Sequence, residues 1–365
     1  MRILHVITTL DIGGAERLMV DLLPQLRDMG YEVELLLFNG VETAFKDELR
    51  QKGLTIYELN RSRDVNSGHL KVYYPWNVFK IRKYLGRYDI IHTHNTACQL
   101  YTPISKLLGF GKKPILVTTE HSSNNRRRSM WWFKPIDKWM YNRYSAIVCI
   151  ADKPRESLEQ YIGTKESILT INNGVDTQRF YRPIKDISEK KSFLITMVAG
   201  LRVEKDHETL LKAMTHLPDA YRLRLVGYGD KEAELKALAD RLGLKDRVNF
   251  MGVRMDVPDI LEQSDINVLS SHWEGLSLSS VEGMASGRPF IASDVDGLRE
   301  IVAGAGVLFP HGDDKALARE IQNLCENPEL YRQTALACQE RAKQYDISVM
   351  AEKYSDLYKS LLGTH

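Results

Sequence analysis

Two glutamates, Glu274 and Glu282, stand eight positions apart in "EGLSLSSVEG". Between them Gly275, Leu276, Ser277, Leu278, Ser279 and Ser280 form a run that reads as the opening of a helix. Amides at a helix start have no intrahelical acceptor and carry the positive end of the helix dipole, which suits a phosphate or a sugar hydroxyl. A carboxylate accepts hydrogen bonds from two vicinal hydroxyls. Amides flanked by two such acids therefore fit a sugar joined to a diphosphate. Upstream, "AGLRVEKDHETLL" places Arg202 and Lys205 just after an apolar run. Cations at a helix start oppose its dipole, so they read as a counter-charge for a diphosphate or, failing that, as solvated surface charge. Gly227 and Gly229 in "VGYGDK", and Gly252, Val253 and Arg254 in "FMGVRMDV", follow two further runs. They are turn residues or the backbone walls of a pocket for a flat heterocycle.

Near the start, "TTLDIGGAERL" sets Gly13 and Gly14 before a helical pattern. The pair is either a tight turn or an anion-approach loop. It is not G-x-G-x-x-G, and no acid follows at the ribose distance, which disfavours a dinucleotide dehydrogenase. His92 and His94 in "DIIHTHN" read as packing and hydrogen-bonding groups, since a metal site would need a defined cluster with carboxylates or thiols. His121 in "LVTTEHSS" ends an apolar run and opens a polar loop, a place from which a side chain meets a reacting centre. The stretch Arg126–Phe133, "RRRSMWWF", is either a solvated basic turn ahead of a core helix or a surface for anionic lipid or a phosphorylated acceptor. Asp294-Val295-Asp296 imitates a metal-binding D-x-D but follows a short apolar run, and a metal role is disfavoured.

What positions these residues is an alternation of short β-branched runs with amphipathic segments. Thirteen runs, from "RILHVIT" to "GVLF", alternate with segments such as "AERLMVDLLPQLRDM" and "KEAELKALADRLGL". Strands covered on both faces read this way, so the pattern predicts doubly wound α/β domains with parallel sheets, whose ligands bind beyond the carboxyl ends of the strands. The length of 365 residues predicts two domains. The alternation breaks at residues 175–192, a polar stretch with a Pro and a charge cluster that reads as a linker. One domain is placed at 1–180, a second at 190–345, and an amphipathic tail at 346–365. A net charge of +2 excludes a broad nucleic-acid footprint. Four scattered cysteines without a C-x-x-C pair fit a reducing compartment rather than a disulfide framework. With no signal-peptide pattern and no apolar run of membrane-spanning length, the expectation is a cytoplasmic protein.

The motif "EGLSLSSVEGMASGRPFIAS", with "GGAER", "HTHN", "TTEHS", "NNGVDTQRF" and "EKDHETLLKA" in order, resembles retaining nucleotide-sugar-dependent glycosyltransferases of the GT-B fold, the group 1 or family 4-like enzymes. The resemblance spans nearly the whole chain. It implies two Rossmann-like domains facing across a cleft, the first on the acceptor side, the second binding the donor, with the tail crossing back to the first. It implies Glu282 on the donor ribose, and Glu274 with the amides of Gly275, Leu276 and Ser277 on the transferred sugar and its diphosphate. Lys205 and Arg202 would stabilise the leaving diphosphate, Gly14 would lie near it, His121 would stand beside the donor sugar, and Gly252, Val253 and Arg254 would meet the base. Two positions depart from the family pattern. Gly200 stands where an arginine is usual five residues ahead of the lysine, and Ser277 replaces the second glycine of E-G-x-G.

The implied activity is transfer of a hexose or N-acetylhexosamine from a nucleotide-diphosphate sugar, a uridine donor being favoured, to a glycan or lipid-linked acceptor in cell-surface polysaccharide or glycolipid synthesis. No cofactor or metal is expected. A phosphorylase or hydrolase on the same scaffold, and a non-catalytic sugar-nucleotide binder, are the alternatives.

Overall fold

The computed structural model describes residues 1–11, 13–62, 71–109, 113–121, 128 and 130–363. It divides into two compact units, residues 1–174 with 347–365, and residues 175–346. In chain order the first unit contains β1 (Arg2–Ile7), α1 (Gly14–Asp28), β2 (Glu32–Gly40), α2 (Ala44–Gln51), β3 (Thr55–Arg61), α3 (Asn77–Leu85) and β4 (Ile90–His94). It continues with α4 (Thr96–Leu108), β5 (Ile115–Glu120), α5 (Lys134–Tyr141), β6 (Ala146–Cys149), α6 (Asp152–Ile162) and β7 (Ile168–Thr170). The second unit contains α7 (Thr177–Phe180), β8 (Phe193–Val198), α8 (His207–His216), β9 (Tyr221–Val226), α9 (Glu232–Arg241), β10 (Val248–Phe250), α10 (Val257–Gln263) and β11 (Ile266–Leu269). Then follow α11 (Leu278–Ala285), β12 (Phe290–Ser293), α12 (Arg299–Val302), β13 (Val307–Phe309), α13 (Asp314–Glu326) and α14 (Pro328–Lys343). The last helix, α15 (Ile347–Gly363), returns to the first unit.

All thirteen apolar runs are strands, and every strand pair within the two sheets is parallel. The first sheet has the order β3-β2-β1-β4-β5-β6-β7 and the second β10-β9-β8-β11-β12-β13. Each is a doubly wound sheet whose order reverses once, between β1 and β4 and between β8 and β11. At such a switch point neighbouring loops diverge to opposite faces and leave a crevice.

Helices cover both faces of the first sheet. Leu18, Leu22 and Leu26 of α1 and Met350 and Tyr354 of α15 pack on one face; Ile81, Cys98, Met140 and Leu158, from α3, α4, α5 and α6, pack on the other. Side chains alternate along each strand, so Ile3 and Ile7 point to the first layer and Leu4 and Val6 to the second. The second unit encloses a single core running from Val175 to Ala342.

The polar stretch 175–192 is not a free linker. Asp176 caps α7 by accepting from the Arg179 amide at 3.1 Å, and Phe180 and Ile187 are buried in the second core. Its charge cluster turns inward, with Lys185 and Lys190 Nζ at 2.7 and 2.5 Å from the buried Asp265 carboxylate. An internal counter-charge, invisible to local composition, makes a charged segment part of a folded unit.

Candidate active site

In the second unit the loops that follow β8 and β11, neighbours at the switch point, bring Lys205 and Glu274 together. Lys205 ends a short 3-10 turn after β8, and Glu274 lies in the loop after β11. Lys205 Nζ donates to Glu274 Oε1 at 2.6 Å, and the two side chains are 21% and 9% exposed. Ser271 Oγ donates to the same oxygen at 2.6 Å. The two loops are tied by backbone as well. Ser270 Oγ donates to Asp206 O at 2.8 Å, and the His272 amide donates to Glu204 O at 2.8 Å. Asp206 adopts φ 45° and caps α8 through the Thr209 amide, so Lys205 is held between a turn and a helix cap. A cation and an anion brought together across two loops fix both side chains where each alone would be mobile.

Helix α11 begins at Leu278, with Ser277 as its N-cap accepting from the Ser280 amide at 3.3 Å. A capping serine stabilises a helix start where glycine does so less well, which accounts physically for Ser277. The amides of Gly275 to Ser279 donate to no acceptor among the described residues. Glu282 is half-buried on the first turns of α11. Arg202 is exposed and reaches Glu204 at 3.9 Å, while its Nε lies 3.6 Å from where a Cβ on Gly200 would stand.

Gly227 and Gly252 are joined by a 2.9 Å bond from the Gly227 amide to the Gly252 carbonyl. Gly227 sits at φ +142°, and a Cβ there would strike the carbonyl of Ala199, so packing alone demands glycine. Gly252 (φ +65°) has open space around it, Val253 is exposed, and Arg254 pairs with Asp256 at 2.5 Å. The D-x-D imitation is internally satisfied: Arg299 reaches Asp294 at 2.5 Å and Asp296 at 3.4 Å.

The first unit has its own crevice at the β1/β4 switch point. Thr8, Asn95, Thr96, Thr119, Glu120 and His121 contribute to the lining of a cavity of about 230 Å³. Gly13 is the N-cap of α1 and Gly14 its first, exposed residue. Burial lowers the His121 pKa to about 4, so the ring is neutral at physiological pH. Behind it lies a buried cluster that sequence reading underestimated. His94 Nδ1 pairs with His121 Nε2 at 3.0 Å, and His94 Nε2 with His5 Nδ1 at 3.0 Å. His92 Nδ1 pairs with Tyr358 Oη at 2.6 Å and Nε2 with Thr119 Oγ1 at 2.7 Å. The parallel register sets His5 beside His92 and His94 beside Thr119, all on the face that α15 covers. The signal was present in the period-two alternation of "LHVI" and "IIHTH", but only strand order reveals that β1 and β4 are neighbours.

His5, His92 and His94 are close enough to hold an ion, yet all six of their ring nitrogens already have a hydrogen-bond partner. Asp206, His272 and His311 form a second such group, with His272 Nδ1 2.6 Å from His311 Nε2.

Arg128 is drawn inward rather than solvated: its side chain is 8% exposed and its Nη2 lies 3.4 Å from Glu120, which also accepts from Tyr141. Arg126 and Arg127 lie outside the described residues. Trp131 and Trp132 are exposed. No described helix is long and apolar enough to cross a membrane.

Comparison with known proteins accords with this geometry. The family described as "Glycosyltransferase Family 4" matches residues 12–179, and "Glycosyl transferases group 1" matches residues 178–344. The chain is 27% identical over 296 residues to an Escherichia coli UDP-Gal:alpha-D-GlcNAc-diphosphoundecaprenol alpha-1,3-galactosyltransferase, covering 74% of this chain and 75% of that one. It is 24% identical over 372 residues to the lipopolysaccharide core biosynthesis glycosyltransferase LpsD of Rhizobium meliloti, covering 98% of each. Among solved structures, Anabaena Alr3699/HepE in complex with UDP and glucose superposes with a TM-score of 0.82 at 24% identity, covering 99% of this chain and 100% of that one. The chain belongs to the group 1 glycosyltransferases and has their GT-B fold.

Proposed function

We propose that the chain is a retaining, metal-independent glycosyltransferase that moves a hexose or N-acetylhexosamine from a UDP-sugar to a lipid-linked or glycan acceptor of cell-surface polysaccharide or glycolipid synthesis. The observation that carries the reading is the Lys205–Glu274 pair beside the uncommitted amides at the mouth of α11. Breaking the C1–oxygen bond builds negative charge on the leaving diphosphate. Lys205, Arg202 and the amides of Gly275, Leu276 and Ser277 meet that charge without reorganising. Glu274 orients Lys205 and accepts from sugar hydroxyls, Glu282 accepts from the ribose diol, and the Gly252–Arg254 loop walls the base. On the first unit, His121 offers a neutral imidazole to a sugar, and Gly13 and Gly14 at the start of α1 offer backbone amides. The uridine preference is supported by the UDP held in the Anabaena neighbour and by the UDP-Gal donor of the E. coli relative.

A lipid-linked acceptor is supported by a surface feature. Among the described residues, the large exposed apolar side chains of the first unit lie on its α3–α5 side, Met29 and Leu362 excepted; they include Trp76, Phe79, Leu107, Leu108, Trp131 and Trp132. Residues 71–143 carry fourteen Lys and Arg against three Asp and Glu, in a chain of net charge +2. Aromatic and basic side chains on one layer suit an anionic bilayer surface. Sedimentation with anionic but not zwitterionic vesicles is the expected result.

The donor reading is tested by a thermal-shift screen of the full chain against UDP-, GDP- and ADP-sugars. A ligand that binds the native state raises the melting temperature by mass action. The largest shift is expected with a UDP-sugar, and no shift with any sugar nucleotide contradicts the reading. Transfer is expected to survive EDTA. Loss on chelation with recovery on adding a divalent ion would overturn metal independence and direct attention to Asp206, His272 and His311.

A further inference from the structure

We infer that the buried hydrogen-bond chain Tyr354–Thr119–His92–Tyr358–His5–His94 fixes His121 in a single tautomer, with its proton on Nδ1, and that Tyr358 on α15 is a positioning residue for glycosyl transfer. The second half of this inference rests on the reading of His121 as an active-site residue; the first does not.

The argument is a count of buried protons. Tyr354 Oη has one partner among the described residues, Thr119 Oγ1 at 3.0 Å. Tyr354 is fully buried, and a buried hydroxyl proton without an acceptor is costly, so Tyr354 donates to Thr119. The Thr119 proton must then go to its other partner, His92 Nε2, at 2.7 Å. His92 is neutral, so its proton is on Nδ1 and is donated to Tyr358 Oη at 2.6 Å. The Tyr358 proton has one remaining acceptor, His5 Nε2, at 3.4 Å. His5 therefore carries its proton on Nδ1 and donates to His94 Nε2 at 3.0 Å. His94 in turn donates from Nδ1 to His121 Nε2 at 3.0 Å. The lone pair of His121 Nε2 is engaged, and the ring presents Nδ1–H.

The reverse sense would leave the Tyr354 proton without an acceptor, so the chain has one direction. Burial holds all four rings neutral, lowering His5 to about 3, His121 to about 4, and His92 and His94 well below the usual histidine value. His121 Nδ1 makes no hydrogen bond among the described residues, and the ring lines the cavity at the β1/β4 switch point. A fixed N–H donor there meets a sugar hydroxyl oxygen without first choosing a tautomer. The last helix, remote in sequence from every motif residue, thus sets the chemistry of one of them.

The test is long-range nitrogen–proton correlation NMR on the full chain with labelled histidine, which reports the protonated nitrogen of each ring. The expected spectrum has His5, His92, His94 and His121 all protonated on Nδ1. Protonation of His121 or His94 on Nε2 overturns the inference, whether or not any variant folds. Tyr358→Phe removes the proton that occupies His5 Nε2, and His121 is expected to become a mixture of tautomers. Tyr354→Phe leaves the Thr119 proton to hold His92, so His121 is expected to keep Nδ1–H. For catalysis, Tyr358→Phe is expected to lower kcat about tenfold with donor KM little changed, the loss of one aligned hydrogen bond. In a His121→Asn background, whose amide offers a donor at the Nδ1 position regardless of the chain, Tyr358→Phe is expected to have no further effect. Equal losses in both backgrounds would make Tyr358 merely structural and refute its positioning role. If His121→Ala transferred sugar at the wild-type rate, the active-site reading would fail while the tautomer result stood.

Discussion

Replacing Lys205 with Met isolates the electrostatic part of the proposed mechanism, because Met keeps most of the side-chain volume and removes the charge. Lys205 Nζ lies 2.6 Å from Glu274 Oε1, with the two side chains 21% and 9% exposed. Two unit charges about 4 Å apart interact by about 4 kcal/mol at the effective dielectric of a partly buried site. A leaving diphosphate meets Lys205 in such surroundings, though the partial exposure of Lys205 reduces the figure. One preorganised donor is typically worth about 3 kcal/mol in the transition state. At about 1.4 kcal/mol per decade that is a fall in kcat on the order of a hundredfold. The stability loss should be smaller, about 1 to 2 kcal/mol or a few degrees in Tm, since Ser271 still donates to Glu274 at 2.6 Å. The assay is release of nucleoside diphosphate from the sugar nucleotide, with and without acceptor, alongside a thermal melt. A Lys205→Met protein whose kcat stays within a few-fold of wild type would refute the assignment of Lys205 to the leaving group.

Glu282→Ala should weaken donor binding ten- to a hundredfold, the usual worth of charge-assisted hydrogen bonds; titration calorimetry with UDP measures it, and unchanged affinity would remove Glu282 from the ribose site. Gly227→Ala should lower Tm by several degrees whatever the ligand, because its Cβ would meet the Ala199 carbonyl at φ +142°. An unaltered melt would mean that the loop relaxes freely. Stability should fall on mild acidification. His5, His92 and His94 are fully buried with folded pKa values depressed by desolvation, so well above about pH 6.5 neither state binds their protons and they contribute nothing to the pH dependence. Below it the unfolded chain takes up protons that the native state refuses, at up to about 1.4 kcal/mol per histidine per pH unit, or about 4 for the three. Urea midpoints at pH 7.5, 6.5 and 5.5 should therefore decline mainly across the last interval, and a flat profile would contradict the burial of the cluster.

The architecture was legible in the sequence because parallel strands covered on both faces read as short continuous apolar runs, and all thirteen were visible. The pairing of Lys205 with Glu274 was half-legible. Each residue stands just after a strand, and ligands of doubly wound sheets gather there, but the distance between them depends on β8 and β11 being neighbours. Residues 175–192 misled because composition cannot reveal that Lys185 and Lys190 face the buried Asp265. Arg128 misled for the same reason, its partner Glu120 lying on β5. His5 drew no attention at all. One polar residue inside an apolar strand has no distinguishing spacing until the register sets it beside His92. Gly227 was read as a possible ligand wall, and steric demand from Ala199 is sufficient to explain it.

The account turns on where the donor's diphosphate sits. A crystal structure of the full chain with UDP answers this directly. The prediction is a diphosphate within hydrogen-bond distance of the amides between Gly275 and Ser279 and of Lys205 Nζ, with the ribose on Glu282. UDP bound away from α11, or a diphosphate that leaves Lys205 paired only with Glu274, would contradict it.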